Sequence, residues 1–314
     1  MKRGEKMIIN TGQRTDIPAF YSEWFINRIL EGYVYVRNPY YPKRITKYIF
    51  NPEVVDCICF CSKNPKPMLD KLDALDGYRQ LWYITITGYG KSIEPHVPHY
   101  LNVIESFKIL SLKHGKKRVI WRYDPIFIDE NYHFSYHLRT FEVIAKKLSG
   151  YCEICVLSFI DLYEKCKKNF SGVKEVDIEM QHKIVKAFVR IAKQYGIKIY
   201  MCAESEEFKR YGVNCDGCMS QSVIENALDL DLYPTSFFAR KECSCLLGND
   251  IGAYNTCMHG CLYCYANINK EEVISNHLKH DVHSPLLIGH IKEEDKITIA
   301  KQDSLINRQI SLEL

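Results

Sequence analysis

The stretch RVIWRYDP, residues Arg118–Pro125, carries the pattern that decides the fold of this chain. Its first half is largely apolar and β-branched, and its second half becomes polar at Arg122 and Asp124. A nearly continuous apolar run is typical of a strand that is buried on both faces of a parallel sheet. Charged residues directly after such a strand lie at its carboxyl end, where (β/α) barrels gather their functional side chains. We therefore predict a strand over Arg118–Trp121 that ends at a functional rim.

Five further stretches repeat this pattern, and helix-like segments separate them. The other predicted strands are Met7–Thr11, Val54–Phe60, Leu81–Thr87, Cys155–Phe159 and Lys198–Cys202. Apolar residues recur at helical spacing in Ala19–Leu30, His99–Leu112, His137–Leu148 and Gln181–Tyr195. Repeated strand–helix units predict a parallel sheet with right-handed crossovers. The expected fold is of the α/β class, a (β/α) TIM-like or partial barrel.

Polar or reactive side chains follow every predicted strand. Because the carboxyl ends of barrel strands share one rim, we predict that these segments form one site. The alternative is that polar residues simply mark loops. The segments are Arg14–Asp16, Ser62–Pro65, Thr87–Lys91, Arg122–Pro125, Asp161 and Cys202–Glu204.

Three cysteines near the C-terminus form the most specific motif in the chain. Cys257, Cys261 and Cys264 lie in the run NTCMHGCLYCYAN with the spacing C-x3-C-x2-C. Three thiolates on one short loop can hold three irons of a cubane iron–sulfur cluster and leave the fourth iron open to a small molecule. The alternative is a zinc site, for which His259 offers a fourth ligand.

Composition narrows the class of protein. The chain has 314 residues, 14 cysteines, 46% hydrophobic residues and a mild net charge of +4. Neither a secretory signal nor a run of about 18 apolar residues is evident, so we expect a cytoplasmic protein. A cysteine-rich cytosolic chain is more often metal-binding or catalytic than disulfide-linked. The sequence has no G-x-S-x-G, H-E-x-x-H or Walker motif, which argues against a serine hydrolase, a zincin and a P-loop NTPase.

A second group of cysteines precedes the triplet. Cys215 and Cys218 form a CDGC pair, Cys243 and Cys245 form a CSC pair, and Cys202 ends a predicted strand. Such pairs can hold a second cluster or a zinc ion, and the alternative is a set of free thiols.

The domain organisation is predicted as one barrel with additions. Residues 1–272 form the barrel, with a cysteine-rich segment over residues 202–264, and residues 273–314 wrap back onto it. Val34–Arg37 and Ile45–Phe50 predict a hairpin insertion near residues 33–50. This hairpin is rich in tyrosine and arginine, so it is either a covering flap or an arm that contacts substrate or nucleic acid. The C-terminal part predicts a short strand at Leu286–Ile288 and a helix at Ala300–Leu314.

Three stretches together resemble one uncharacterised bacterial family, domain of unknown function 1848. They are RTDIPAFYSEWFINRILEGYVYVRNP, VIWRYDPIF and DIGAYNTCMHGCLYCYAN. The family resembles a circularly permuted radical S-adenosylmethionine (SAM) protein, in which the cluster loop follows the last barrel strand instead of the first. The resemblance implies that Asp250–Thr256 is the strand entering this loop and that Val273–His280 belongs to the following helix.

The resemblance also implies an activity. A [4Fe–4S] cluster on Cys257, Cys261 and Cys264 would reductively cleave SAM to a 5′-deoxyadenosyl radical that acts on a substrate the sequence does not name. A reductant such as flavodoxin or ferredoxin would be the partner. The alternative is a non-catalytic barrel that binds zinc or an iron–sulfur cluster and associates with nucleic acid.

Candidate roles for individual residues follow from the groups that SAM carries. A carboxylate can bind the ribose diol or the amino group of SAM, and an arginine can pair with its carboxylate. The cofactor-binding candidates are Asp124, Glu204 and the backbone around Tyr263, and the catalytic candidates are Arg14, Asp16, Arg122 and Asp124. For the second centre the resemblance favours Cys202, Cys218, Cys243 and Cys245, with Cys215 as a fifth candidate.

Overall fold

The computed structural model describes residues 5–162, 167, 169–170, 172–202, 204–234, 244–246 and 248–307. Numbered along the chain, its strands are β1 (Glu5–Lys6), β2 (Ile8–Asn10), β3 (Tyr33–Arg37), β4 (Arg44–Ile49), β5 (Cys57–Ser62), β6 (Gln80–Thr85), β7 (Val119–Ile126), β8 (Ile154–Phe159), β9 (Lys198–Met201), β10 (Asn249–Asp250), β11 (Lys296–Ile299) and β12 (Gln302–Asp303). The α-helices are α1 (Ile17–Phe20), α2 (Ser22–Glu31), α3 (Tyr100–His114), α4 (Phe134–Leu148), α5 (Ile178–Gln194), α6 (Gln221–Leu228) and α7 (Lys270–Leu278), and Lys66–Leu75 and Glu206–Tyr211 are 3₁₀ helices.

A seven-stranded parallel sheet organises these elements, in the order β10-β2-β5-β6-β7-β8-β9. Within the described ranges the two edge strands, β9 and β10, do not pair with each other, so the sheet is compatible with a partial barrel. Each of the six predicted strands overlaps an observed strand of this sheet, and the four predicted helices overlap α1 to α5. The mixed α/β class is therefore confirmed.

The sheet is buried on both faces, as the apolar runs predict. On β7, Trp121 faces an outer core that includes side chains of α2 to α5, while Ile120 faces an inner core. The inner core is covered by α6 and by Leu246 of the segment 244–246. Because side chains alternate along a strand, this two-sided burial explains why nearly every position in these strands is apolar.

The inner face becomes polar at the carboxyl end of the sheet. Towards the start of the strands it carries apolar or weakly polar side chains, namely Ile8, Cys57, Cys59, Leu81, Tyr83, Ile120, Ile154 and Val156. Continuing the same alternation brings Cys61, Thr85, Arg122 and Ser158 to the carboxyl ends of β5 to β8. This change from apolar to polar side chains positions the site at the rim of the sheet.

The last strand of the sheet lies beside its first. Asp250 of β10 pairs with Asn10 of β2 in parallel register. The strand predicted over Asp250–Thr256 is shorter and begins one residue earlier, and the helix predicted over Val273–His280 is α7. The chain that leaves β10 is thereby placed over the carboxyl ends of strands that come much earlier in the sequence.

The elements outside the main sheet agree in part with the sequence-based predictions. The predicted hairpin is confirmed, since β3 and β4 pair antiparallel, and β11 extends it in parallel to β4. Leu286 makes an isolated bridge to Tyr35 where a short strand is predicted. The domain boundary after residue 272 stays a prediction. In the parts of the chain that the structure describes, no helix is both long and apolar enough to cross a membrane.

The helix predicted over Ala300–Leu314 is wrong where the structure describes it. Residues 302–303 form β12, which pairs in parallel with β1, and residues 308–314 lie outside the described residues. Gln302 exchanges side-chain hydrogen bonds with the backbone of Ile49 (2.7 and 3.0 Å), and Asp56 accepts from Ser304 Oγ and Leu305 N. These contacts with residues distant in sequence hold the segment extended. They cannot be predicted from the spacing of apolar residues within the segment itself.

His137 of α4 is a buried, neutral histidine with a defined tautomer. Its Nε2 lies 2.8 Å from Phe127 O and its Nδ1 lies 2.8 Å from the hydroxyl of Tyr123. Because a carbonyl only accepts, Nε2 carries the proton and Nδ1 accepts from Tyr123. Burial lowers the pKa of His137 to about 4.

We expect this histidine to destabilise the protein in acid. The unfolded chain binds the proton below pH about 6.5 and the folded chain only near pH 4, so stability is lost as the pH falls between these values, by about 3 kcal/mol. The His137→Gln variant removes this dependence, and His283→Gln, at an exposed site, keeps it. The measurement is the urea unfolding free energy from pH 4 to pH 8. Parallel curves for the two variants would contradict the assignment.

Candidate functional site

A cavity of about 300 Å³ lies at the carboxyl ends of the strands, and we call it the rim cavity. Its wall includes Cys61, Thr85, Arg122, Asp124, Ser158 and Asp161 from strand ends, Gln13, Thr15 and Asp16 from the turn after β2, and Cys257, Cys261 and Cys264 from the chain after β10. The structure therefore brings the cysteine triplet together with polar residues from several of the segments that the sequence predicts after the strands.

The cysteine loop, residues 255–267, is closed by amide hydrogen bonds. Asn255 has the left-handed φ of +56°, a conformation that asparagine tolerates better than most residues. Its backbone N donates to Ala266 O (3.0 Å), and its Oδ1 accepts from Ile268 N (2.5 Å). Asn267 Nδ2 donates to Cys257 O (2.8 Å). These bonds join the two ends of the loop and fix the backbone that carries the cysteines.

Asp16 anchors the loop through His259. Both side chains are buried, and His259 Nε2 lies 2.8 Å from Asp16 Oδ2. The same carboxylate accepts from the backbone N of Lys63 (2.8 Å) and from Ala19 N (3.0 Å), where it caps α1. The carboxylate of Asp16 is thus occupied by protein partners, which gives it a positioning role. His259 Nδ1 is buried and has no hydrogen-bond partner in the described part of the chain.

Glu94 is a second anchor, and no sequence pattern indicates it. It is buried and accepts from Lys63 Nζ (2.9 Å), from Thr87 Oγ1 (3.1 Å) and from the hydroxyl of Tyr263. The backbone of the same segment also meets the loop, because His96 N donates to His259 O (3.1 Å). A single acid between Ile93 and Pro95 in a loop offers no periodicity or motif from which to infer this contact.

Burial dominates the electrostatics of the Cys257 and Cys261 thiols. It raises the pKa of Cys257 well above its usual range, and the nearby carboxylate of Asp16 adds to this. Burial also raises the pKa of Cys261 to about 12, although the ammonium of Lys63 opposes the shift. Metal ligands are thiolates, so these cysteines need a strongly positive partner before they ionise.

Some of the charged residues predicted to form the site line the rim cavity, and others only contact neighbouring segments of the protein. Arg14 pairs with Asp250 (Nε to Oδ1, 3.1 Å) and does not line the rim cavity. Arg122 and Asp124 form an ion pair that does line it. Glu204 lines neither of the cavities described here, and accepts from Phe159 N (2.7 Å). Burial raises the pKa of Glu204 to about 7.

Cys202, Cys218 and Cys245 form a second group, which we call the Cys202 triad. Their sulfur atoms all lie within 4.8 Å of one another, and this triad can bind a metal ion. Cys245 Sγ is 3.6 Å from each of the other two sulfurs. Cys215 lies apart, with its Sγ 3.8 Å from Ser205 O, and Cys243 lies outside the described residues.

A larger cavity of about 430 Å³, the second cavity, adjoins the triad. All three cysteines of the Cys202 triad line this cavity, together with Arg14, Tyr83 and Asp250. The residues shared with the rim cavity are Gly12, Gln13, Cys61, Arg122, Cys202 and Tyr265. One wall therefore separates the two cysteine groups.

The hairpin of β3 and β4 reaches the second cavity through Pro39 at its tip. Its cations contact other groups of the protein: Arg37 pairs with Asp295 (2.6 Å), and Lys47 lies 4.4 Å from the ring centre of Tyr33. The covering role fits these contacts, and nucleic-acid binding by the hairpin stays a prediction.

The model of one protein family, Domain of unknown function (DUF1848), matches residues 8–266. The chain belongs to this family. No curated protein matches it. One similar solved structure is that of a "putative alpha-L-fucosidase" from Bacteroides thetaiotaomicron, with 15% identity over 45% of this chain and 43% of that chain and a TM-score of 0.28. The chain thus spans less than half the length of that protein, and so low a score supports no argument about function.

In this DUF1848 protein, Asp16 and Asp177 provide a matched test of loop anchoring. Both cap a helix, but Asp177 is exposed and its cap is a bond from Met180 N (2.9 Å). Asp177→Ala should cost about 1 kcal/mol. Asp16→Ala should cost at least about 3 kcal/mol, because Lys63 N and the buried His259 also lose their acceptor. Urea unfolding measures both, and equal losses would mean that Asp16 is a cap alone.

Proposed function

We propose that this protein is a radical SAM enzyme. When bound by Cys257, Cys261 and Cys264, a [4Fe–4S] cluster would supply the electron that cleaves SAM to a 5′-deoxyadenosyl radical, which then acts on a substrate. The observation that supports this most is that three cysteines of one anchored loop line a cavity at the carboxyl ends of a parallel sheet.

The spacing of the loop cysteines suits a cluster better than a single ion. Sulfurs bound to one zinc ion lie about 3.8 Å apart, given a Zn–S distance of about 2.3 Å and tetrahedral geometry. Within the described ranges, the three sulfur atoms of the Cys202 triad all lie within 4.8 Å of one another. The loop cysteines do not form such a close group. A cubane requires wider spacing, because each thiolate binds a different iron.

Unpaired polar atoms in the rim cavity support a polar ligand there. Gln13 Nε2, Thr15 Oγ1 and Arg122 Nε are buried and have no hydrogen-bond partner among the described residues. Buried polar groups are normally satisfied, so three unpaired ones in one cavity favour a ligand that supplies acceptors. We assign Arg122 to the carboxylate of SAM, Gln13 Nε2 to a ribose hydroxyl that accepts from it, and Thr15 Oγ1 to a hydroxyl or amino group of SAM.

The other candidates then hold the site in place. Asp16 and Tyr263 fix the cysteine loop by their side chains, and Arg14 fixes the end of β10 through Asp250. Asp124 orients Arg122, so that the guanidinium keeps one edge towards the cavity. The backbone around Tyr263 remains the proposed contact for adenine. A flavodoxin or ferredoxin in the cytoplasm would be the reductant, and the described cysteines, which form no disulfide, suit a reducing compartment.

A metal-binding protein without catalysis is the second candidate. The Cys202 triad supports it, because its three clustered thiols can bind a metal ion without the loop cysteines. The two candidates differ in whether SAM is cleaved.

The test compares wild type with Cys261→Ala and with Cys215→Ala, whose cysteine lines neither cavity. Each protein is reconstituted with iron and sulfide without oxygen, reduced with dithionite and given SAM. We expect 5′-deoxyadenosine from wild type and Cys215→Ala, and only the level of an enzyme-free control from Cys261→Ala, because two thiolates do not keep the cluster in place.

Iron and sulfide counts provide a second readout that does not depend on activity. Both should fall in Cys261→Ala and stay at the wild-type level in Cys215→Ala. A wild-type protein that takes up zinc but no iron, and forms no 5′-deoxyadenosine, would leave the non-catalytic candidate as the function.

A further inference from the structure

We propose that the Cys202 triad holds a single divalent ion such as Zn²⁺, whose fourth coordination position faces the second cavity and takes a small anionic ligand. This site uses cysteines other than those of the loop and goes beyond the radical SAM function, on which it does not depend.

The sulfur distances indicate one ion. Cys245 Sγ lies 3.6 Å from Cys202 Sγ and 3.6 Å from Cys218 Sγ. Three thiolates on one tetrahedral zinc ion lie about 3.8 Å apart, so the triad needs almost no rearrangement to bind it. Soft thiolate ligands also favour zinc over magnesium or calcium.

The residues around the sulfurs support the ligand geometry. Met219 N donates a hydrogen bond to Cys245 Sγ (3.2 Å), and such a bond orients a metal thiolate and stabilises its charge. Leu246 N donates to Met219 O (2.8 Å), and the hydroxyl of Tyr83 donates to Cys218 O (2.9 Å). Two of the three ligands are thereby fixed by bonds that do not involve the sulfur–sulfur contacts.

The three ligands come from three separate parts of the chain. Cys202 directly follows β9, Cys218 precedes α6, and Cys245 belongs to the segment 244–246. The last two parts cover the inner face of the sheet. One ion would therefore join the end of β9 to α6 and to the segment 244–246, the two parts that cover the inner face of the sheet.

Among the described residues no fourth ligand joins the three sulfurs, and all three cysteines line the second cavity, so the open side of a bound ion would face that cavity. Three thiolates and a divalent ion leave one net negative charge, so a fourth anionic ligand needs nearby donors. Arg122 and Gln13 line the same cavity, and Arg122 Nε and Gln13 Nε2 have no partner in the described structure. These donors lead us to assign an anionic ligand, not a neutral one, to the fourth position.

The first test is the metal content of the full-length protein. We expect one zinc per chain in wild type and in Cys215→Ser, and none in Cys202→Ser, Cys218→Ser or Cys245→Ser. The zinc should persist in Cys261→Ala, which separates this site from the loop. If the three serine variants keep their zinc, or lose iron and sulfide in its place, the single-ion assignment is overturned.

The second test examines the fourth position with cobalt in place of zinc, because Co²⁺ absorbs visible light according to its ligands. Thioglycolate, a small anionic thiol, should shift the cobalt bands in a saturable way. Arg122→Gln should retain cobalt but bind thioglycolate about tenfold or more weakly, since it loses a charged hydrogen-bond donor. If the cobalt bands do not shift with thioglycolate but do change in Cys243→Ser, Cys243 is the fourth ligand. That result would overturn the proposal of an open fourth position.

Gly217 allows a test of the geometry that leaves all ligands in place. It has φ of +103°, and an added Cβ would lie 3.0 Å from Cys245 Sγ. Gly212 has φ of +82° with nothing within 4 Å of an added Cβ. Both Gly→Ala changes introduce backbone strain, because a residue with a Cβ disfavours a positive φ. In a chelator competition we expect only Gly217→Ala to weaken zinc binding, and equal affinities in the two variants would contradict the close approach to Cys245.

Discussion

The pairing of β10 with β2 is the constraint on which the site depends. It places residues from near the two ends of the described chain side by side, with Asp250 in register with Asn10. The carboxylate of Asp250 then accepts from Gln13 N (2.7 Å) and Arg14 Nε, so the turn after β2 and the start of the cysteine loop are fixed together. The pairing brings the loop over the carboxyl ends of the strands, where Asp16 and Glu94 anchor it and its cysteines share a cavity with Arg122.

A second constraint is that charges at this rim are buried and must be paired. An unpaired buried charge costs several kcal/mol, whereas a hydrogen-bonded pair is tolerated. Asp16 therefore contacts His259, and Glu94 contacts Lys63, each across segments that are distant in sequence. These pairs contribute to binding by fixing the loop in advance of any ligand. The apolar inner core beneath them excludes water, so an ion or polar ligand in either cavity would interact strongly with the few donors that remain unpaired.

The sequence predicts what is locally encoded. Two-sided burial leaves continuous apolar runs, so the six strands predicted from them overlap β2 and β5 to β9, and the β3–β4 hairpin is found from its flanking strands. The ends are less exact, because β7 continues past its predicted end at Trp121 to Ile126 and includes the polar residues predicted to follow it. Cys57, Cys59 and Cys61 share the inner face of β5, as the alternation of side chains along a strand requires. What is missed depends on contacts between distant segments. Glu94 has no local signal, and the extended course of residues 302–303 is set by Asp56 and Ile49. That Cys218 joins the triad while Cys215 lies apart is likewise visible only in the folded chain.

The two cysteine groups show that the folded distances between sulfurs, and not sequence spacing alone, indicate the kind of metal centre. Cysteines three or four residues apart on one loop can bind a single zinc ion or several irons, so their spacing in the sequence leaves both open. Cysteines from three separate segments can converge closely, because no short connection limits their approach, and this suits one ion. Under both proposals Arg122 lies in the wall between the centres. Its Nε has no partner among the described residues, and Asp124 binds its other edge. A ligand bound at either centre would then compete for, or share, the same guanidinium, so occupancy of one cavity should change the affinity of the other.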